Sequence, residues 1–86
     1  MESRADFRER EGLILSQCRL ESGLSQEYVA RQMDVNIRTV RNWEEGLSPI
    51  RNDDLLMWFT VCKQSPWRWL QRIWMPSAFS DTDTPN

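Results

Sequence analysis

Apolar residues recur along most of this chain at intervals of three or four positions, which is the spacing of one face of an α-helix. No segment alternates cleanly between apolar and polar positions, so the pattern predicts no strand. Residues typical of helix ends divide the chain into five apolar segments. The sequence therefore predicts an all-α fold of five short helices.

The residues at the segment ends give the predicted boundaries. The first helix runs from about Ala5 to Glu21, and Gly12 within it predicts a kink or a late start. Ser22 and Gly23 end this helix. The second helix is capped by Ser25. The third is capped by Asn36 and runs through Glu45. The fourth runs from about Asp53 to Lys63, with Asn52 or Asp53 as its cap, and the fifth from about Pro66 to Met75.

Length and composition fit a single small domain. The chain has 86 residues, of which 40% are hydrophobic and 28% charged. No apolar run is long enough to span a membrane, and the charged N-terminal segment indicates no signal peptide. We therefore expect a cytoplasmic protein with no membrane partner, built as one folded domain over residues 1–76 and a flexible acidic tail over residues 77–86.

The charges are unevenly distributed. The chain carries 11 basic and 13 acidic residues, a net charge of −2, which by itself argues against a polyanionic partner. Asp81 and Asp83 are the only charged residues after residue 75, so residues 1–75 are neutral. Every base except Lys63 is an arginine, a side chain suited to forked hydrogen bonding. The body of the chain is therefore neutral rather than acidic.

The residue types that most often carry catalysis or bind metals are scarce. Histidine is absent, and Cys18 and Cys62 lie far apart among apolar neighbours. We expect both cysteines to be reduced core residues rather than zinc ligands. No carboxylate pair, thiol–base pair or glycine-rich phosphate loop stands out. We therefore expect no enzymatic activity, metal, cofactor or small-molecule ligand.

The most informative stretch joins the second and third helices through three residues, Asp34 to Asn36. The two helices can close a small shared core through five apolar side chains, which are Val29, Ala30, Met33, Val40 and Trp43. The remaining face of the third helix presents Arg38 and Asn42, which project together because they lie one turn apart.

These exposed side chains suit the major groove of DNA. Arginine can form two hydrogen bonds to the O6 and N7 atoms of guanine, and asparagine can do the same with N6 and N7 of adenine. Arg38 and Asn42 are therefore candidate base contacts, and Ile37 is suited to a thymine methyl group.

The second helix offers a different kind of contact. The free N–H groups from Ser25 to Glu27 favour an anion, and the Gln26 side chain can reach a phosphate. Arg41 fits either a phosphate contact or plain solvent exposure. Arg31 fits a phosphate or an ion pair with Glu27. We take Ser25, Gln26 and Arg41 as the candidate phosphate contacts.

These residues resemble the Cro/repressor-like helix-turn-helix family, also called XRE-type or lambda-repressor-like. The resemblance covers roughly residues 13–75. It rests on residue types at matching places, which are Arg19, Gly23-Leu24-Ser25-Gln26, Val29-Ala30, Val35, Thr39-Val40, Trp43-Glu44, Gly46, Leu55-Leu56 and Ser65 to Leu70. The resemblance implies a compact five-helix DNA-binding domain with its helix-turn-helix over residues 25–45.

The resemblance also implies roles for single residues. The matching positions for base contacts are Asn36, Ile37, Arg38 and Asn42. The position of Gln26 contacts a phosphate in the family, and the pair that matches Arg19 and Glu44 forms a structural ion pair.

Two features depart from the family pattern. Asp34 stands where the family usually has a turn glycine, and it adds a negative charge near the DNA. The loop after the third helix has no basic residue before Arg51. We therefore expect few phosphate contacts and a greater dependence on dimerisation.

The fifth helix has more aromatic residues than one face can bury. Trp69, Leu70 and Ile73 suit the interior, whereas Trp67 and Trp74 share a second stripe. We favour a dimer interface at this stripe. The alternative is packing against the first helix, with Phe7 covering the tryptophans.

Two functions are compatible with these features. The first is a sequence-specific transcriptional regulator, with repression as the expected mode, that binds a palindromic operator on double-stranded DNA as a homodimer. Such a protein would be nucleoid-associated and encoded by a bacterium, a phage or another mobile element. The alternative is an adaptor or anti-repressor that uses the helix-turn-helix scaffold to bind a protein.

Overall fold

The computed structural model describes residues 2–74, and within this range it contains five helices and no strand. The helices are α1 (Arg4–Glu21), α2 (Gln26–Met33), α3 (Ile37–Glu44), α4 (Asn52–Cys62) and α5 (Pro66–Trp74). The predicted all-α class and helix order are confirmed. The end of the predicted fifth helix at Met75 and the predicted tail over residues 77–86 lie outside the described residues.

Short-range hydrogen bonds explain where three of the helices begin. At the start of α1, Ser3 Oγ accepts from the Asp6 amide at 3.1 Å, and the Asp6 carboxylate accepts from the Ser3 amide at 3.5 Å. Ser25 Oγ accepts from the Tyr28 amide at 3.0 Å to cap α2. Asn36 caps α3 through a bond described below. These bonds satisfy amides that have no partner inside a helix.

Gly12 does not interrupt α1, so the predicted kink or late start is wrong. The helix runs continuously through Gly12, which is buried. A Cβ atom at this position would lie 2.4 Å from the Glu44 carbonyl oxygen and 2.6 Å from that of Trp43. Glycine is present because the end of α3 approaches the α1 backbone too closely for any side chain, which is a tertiary requirement that local propensity cannot reveal.

The ends of α4 also differ from the prediction. The helix begins at Asn52 after Arg51, whose side chain makes no capping bond, so neither Asn52 nor Asp53 is the cap. Ile50 is buried and anchors the chain immediately before the helix. Asp53 and Asp54 lie in the first turn, where the helix dipole favours negative charge. The helix ends at Cys62, because Lys63 adopts a left-handed conformation with φ of 55°.

The core is shared by all five helices. It includes eight side chains with almost no exposed surface, which are Leu15, Cys18, Val29, Val40, Trp58, Phe59, Trp69 and Ile73. The Trp58 indole donates to the Leu15 carbonyl at 3.2 Å and meets the Trp43 ring edge-on with centroids 6.1 Å apart. Three buried tryptophans, Trp43, Trp58 and Trp69, therefore give this small chain a substantial core.

Helix α5 packs against α1. Its buried side is formed by Trp69 and Ile73, and the Arg10 guanidinium on α1 donates to the Ile73 carbonyl near the end of α5. Arg68 and Glu21 form an ion pair at the opposite end, at 3.3 Å. Because both ends are held, the orientation of α5 on the domain is fixed.

Residues 2–74 contain neither a membrane-spanning helix nor a metal-binding cluster. No helix in this range has the length and apolar character needed to cross a membrane. The same range contains no cluster of three or more His, Cys, Asp or Glu side chains placed to hold a metal ion.

Candidate nucleic-acid interface

The turn between α2 and α3 sets the angle of the exposed helix. Asp34 adopts a left-handed conformation with φ of 57°, which aspartate tolerates better than most residues. The next amide, that of Val35, donates to the Ala30 carbonyl at 3.0 Å. Val29 and Ala30 on α2 and Val40 on α3 are buried. Backbone bonds and apolar packing therefore hold the two helices as one unit.

A chain of polar contacts joins α1, α2 and α3. Arg19 donates to both carboxylate oxygens of Glu44, at 2.6 and 3.0 Å, and to the Leu24 carbonyl at 2.8 Å. The Gln26 side-chain amide donates to the same carboxylate at 3.0 Å. Arg19 is buried, and the Glu44 side chain is only 5% exposed. The structure thus brings the sequence-predicted pair Arg19 and Glu44 into contact.

Sequence analysis missed the bond between Gln26 and Glu44. It follows from the geometry of two helices of eight residues each joined by a three-residue turn, because the start of α2 then lies beside the end of α3. Equal helix lengths around a short turn were the available signal. The bond occupies one of the two N–H groups on the Gln26 amide and leaves the other N–H free to donate.

The outward face of α3 carries two arginines that are not engaged by the rest of the domain. Arg38 and Arg41 are exposed, and neither forms a hydrogen bond from its side chain or an ion pair within residues 2–74. Asn42 is half-buried on the same face, one turn from Arg38. This face therefore offers forked donors and a carboxamide in a small area.

Arg31, at the end of α2, is also exposed and has no ion pair within the described residues. The alternative pairing of Arg31 with Glu27 is not seen. By contrast, five arginines outside the helix-turn-helix pair with carboxylates, and these are Arg8, Arg10, Arg19, Arg51 and Arg68. All the arginines of the helix-turn-helix unit are therefore available to a partner.

Three candidate DNA contacts are partly engaged within the domain. The Asn36 side-chain carbonyl caps α3 by accepting from the Arg38 amide at 2.8 Å, which leaves only its N–H2 group to donate. Ser25 Oγ accepts from the Tyr28 amide but keeps its hydroxyl proton. Ile37 is half-buried and packs against the core. A bidentate contact to adenine therefore suits Asn42 and not Asn36.

The start of α2 presents free donors. The Tyr28 and Val29 amides bond back to Ser25, whereas the Gln26 and Glu27 amides have no partner within the described residues. Ordered amides at a helix start favour an anion. The Ser25 hydroxyl and the second N–H of the Gln26 side-chain amide are also available, so residues 25–27 offer four donors.

The three tryptophans of α5 have different environments. Trp69 is 1% exposed, whereas Trp67 is 68% and Trp74 is 54% exposed. Packing against α1 therefore accounts for Trp69 and leaves the other two uncovered. The Arg10 guanidinium lies over the Phe7 ring, 5.2 Å from the ring centroid. Phe7 does not cover Trp67 or Trp74.

Comparison with known proteins agrees with this geometry. A family model described as helix-turn-helix, HTH_3, matches residues 15–66, more than half of the chain. No curated protein sequence matches the chain.

Two solved structures are similar in fold. The restriction-modification controller protein C.AhdI from Aeromonas hydrophila shares 24% sequence identity, with a TM-score of 0.66 over 72% of this chain and 94% of that protein. A single-residue variant of the restriction-modification controller protein C.Esp1396I shares 18% identity, with a TM-score of 0.71 over 85% of this chain and 90% of that one. Together with the family match, the exposed face of α3 leads to one assignment. The chain belongs to the XRE-type helix-turn-helix family of DNA-binding transcriptional regulators.

Proposed function

We propose that this protein binds a palindromic operator as a homodimer and represses transcription by occupying it. The observation that carries this proposal is the state of the arginines in the helix-turn-helix unit. Arg31, Arg38 and Arg41 are exposed without an ion pair in the described part of the chain, although the chain as a whole has more acidic than basic residues. Unpaired arginines on one surface suit a phosphate and base-edge partner.

In this proposal α3 lies in the major groove. Arg38 reads guanine and Asn42 reads adenine, because both project from the exposed face of the helix. Ile37 and the Asn36 amide contact bases at the start of the same helix. The half-buried position of Ile37 limits it to a contact through the edge of its side chain.

The phosphate backbone is held at two places. Ser25, Gln26 and the free amides at the start of α2 bind one phosphate, and Arg41 binds another at the edge of α3. The bond from Gln26 to Glu44 orients the Gln26 amide, and Arg19 orients Glu44. Arg19 and Glu44 are therefore positioning residues in this scheme.

Dimerisation compensates for the few phosphate contacts. A two-fold dimer places two copies of α3 in successive major grooves, about 34 Å apart, and doubles the contacts. The exposed surface of Trp67 and Trp74 is the proposed interface, because large aromatic side chains are enriched in interfaces. The protein would act in the bacterial cytoplasm, in association with the nucleoid, as a regulator of a restriction-modification system or a similar mobile element.

Gel-shift titration on the DNA upstream of the protein's own gene tests the proposal. We expect a complex on a duplex with an inverted repeat and a much weaker one on a scrambled duplex of the same composition. Equal affinity for both duplexes would contradict sequence-specific regulation.

A protein-binding adaptor is the second candidate, and the exposed tryptophans on a neutral body favour it. Salt separates the two functions. Affinity for DNA falls steeply as salt rises because bound counterions are released, whereas an aromatic protein interface responds little. A partner protein whose affinity is unchanged between low and moderate salt, with no specific DNA complex, would favour the adaptor.

Variants at Gln26 and Arg41 distinguish the two kinds of phosphate contact. Gln26→Ala is expected to weaken binding to all sequences alike without changing the slope of log affinity against log salt, because glutamine carries no charge. Arg41→Gln is expected to reduce that slope by about one, because one counterion-releasing contact is lost. A change in sequence preference with either variant would contradict its assignment to phosphate.

Substitution of the exposed tryptophans tests the dimer interface. We expect Trp67→Ala and Trp74→Ala each to raise the dimer dissociation constant about tenfold or more, measured by analytical ultracentrifugation, because buried interface tryptophans contribute strongly. Leu20→Ala is the matched control, since Leu20 is also largely exposed, at 63%, but lies on α1. If the leucine variant dissociates as much as the tryptophan variants, or none does, the interface lies elsewhere.

A further inference from the structure

The proposed DNA contacts leave one exposed apolar side chain beside α3 unexplained. Leu47 lies in the loop between α3 and α4, three residues after α3 ends at Glu44. At 70% it is the most exposed large apolar side chain within residues 2–74. A single leucine on a protein surface is ordinary. What distinguishes Leu47 is the rigidity of its loop and the place of that loop at the end of α3.

The loop holds Leu47 in one position. The Leu47 and Ser48 amides both donate to the backbone carbonyl of Asn42, at 2.9 and 3.4 Å. Gly46 has φ of 73° and packs so closely on α1 that a Cβ atom would lie 3.0 Å from the α1 backbone. Ile50 is buried at the other end of the loop. Because the loop is ordered before any partner binds, covering Leu47 costs little conformational entropy.

The loop continues the proposed DNA interface. The Asn42 side chain is the proposed adenine contact, and its backbone carbonyl is the acceptor that fixes Leu47. Recognition helices contact base edges with their N-terminal residues. In the proposed complex the end of α3 and the loop after it therefore lie toward the edge of the major groove. This edge is formed by the sugar–phosphate backbone of the DNA.

The charges of the loop do not suit a phosphate. Residues 45–50 include no basic residue, and Glu45 is exposed and acidic. Arg51, the first base after α3, lies 3.8 Å from the Asp53 carboxylate. The other group that the DNA backbone presents is deoxyribose, whose C–H face is apolar. An exposed leucine on a rigid loop is complementary to that face, because contact removes apolar surface from water on both sides.

We propose that Leu47 packs against a deoxyribose of the operator, so that an apolar contact takes the place of a phosphate contact at this edge of the groove. This inference rests on the proposed function, in which α3 lies in the major groove. The contact releases no counterion and reads no base edge. It therefore adds to the affinity for every DNA sequence alike and leaves the salt dependence unchanged.

Leu47→Ala tests the size and character of the contact. We expect the affinity for the operator and for an unrelated duplex to fall by the same factor, about 3- to 10-fold, which corresponds to partial burial of a leucine side chain. The slope of log affinity against log salt should not change. Leu13→Ala is the matched control, since Leu13 is 55% exposed but lies on α1, and its affinity should equal that of the wild type. Fluorescence anisotropy of labelled duplexes at several salt concentrations measures all three quantities.

Leu47→Lys tests the position of the loop independently. An ammonium group at this place should reach a phosphate, so we expect the salt slope to steepen by about one. Leu13→Lys adds the same charge away from the proposed interface and should leave the slope unchanged. Both leucines are largely exposed, so the variants should keep the fold, which circular dichroism checks.

The possible outcomes separate this inference from the proposed function. If the wild type binds its operator but both Leu47 variants behave like the Leu13 variants, the contact with deoxyribose is overturned and the proposed function stands. A Leu47→Ala protein that keeps its affinity for DNA but loses a partner protein would assign the loop to a protein surface and would also overturn the contact. A wild type without a specific DNA complex would overturn both proposals.

Discussion

Arg38→Ala is expected to lower the affinity for the operator about 5- to 150-fold, the range that corresponds to one bidentate contact with a base. The loss should be largest on the preferred sequence and small on unrelated DNA, because the side chain reads a base edge. Titration of labelled operator and of variants with each guanine replaced measures both effects. Replacement of one particular guanine should lower the affinity of the wild type for the operator but leave that of the Arg38→Ala protein unchanged.

Asn42→Ala should have a similar effect at an adenine one or two base pairs away, since Asn42 follows Arg38 by one helical turn. Arg4→Ala is the matched control, because Arg4 is an exposed arginine outside the helix-turn-helix unit. Circular dichroism confirms that each variant is folded. If Arg4→Ala costs as much affinity as Arg38→Ala, the loss reflects overall charge and not contact with a base.

Gly12→Ala is expected to cost about 3 kcal/mol or more of folding stability, at or beyond the upper end of ordinary overpacking. The added Cβ would lie within 3 Å of the backbone at Trp43 and Glu44, which has no flexible end that can move away. Helices α1 and α3 would have to separate, which would weaken the contact of Arg19 with Glu44. Urea unfolding followed by circular dichroism measures the change.

Gly23→Ala is the control for Gly12→Ala. Gly23 has φ of 73°, but a Cβ there meets nothing within 4 Å. The expected cost is about 1 kcal/mol, from the unfavourable left-handed conformation alone. Equal losses in the two variants would contradict the tight approach of α1 and α3.

Local chemistry made most of the fold predictable. Ser25 and Asn36 are helix caps because their side chains bond amides two or three residues ahead, which depends only on nearby sequence. Asp34 occupies a left-handed turn because aspartate tolerates this conformation better than most residues, which is also a local property. The order of the helices follows from such residues together with apolar spacing.

Tertiary contact decided the features that were mispredicted or missed. Gly12 suggests a helix defect when read locally, but its role is set by α3, which is distant in the chain. The start of α4 depends on the burial of Ile50 more than on a capping side chain. The bond from Gln26 to Glu44 depends on how the ends of two helices meet. The first two cannot be read from propensity or from apolar spacing, and the third needs the lengths of both helices and of the turn between them.

The candidate interface divides in the same way. The exposure of Arg38 and Arg41 follows from helical spacing and was predictable. The role of Asn36 as a helix cap was also predictable from the sequence. Because its side-chain carbonyl accepts from the Arg38 amide, only its side-chain N–H2 group remains to contact a base. Whether an exposed arginine is already paired depends on the whole fold. Only the structure shows that Arg31, Arg38 and Arg41 form no ion pair within residues 2–74.

Selection from a pool of random DNA duplexes tests the central claim most directly. The wild-type chain should enrich one sequence arranged as an inverted repeat, with half-site centres about 34 Å apart along the helix axis. The Arg38→Ala variant, selected in parallel, should lose the preference for guanine at one position of each half-site. A pool that shows no enrichment with the wild type, or the same enriched sequence with both proteins, would contradict recognition of DNA by α3.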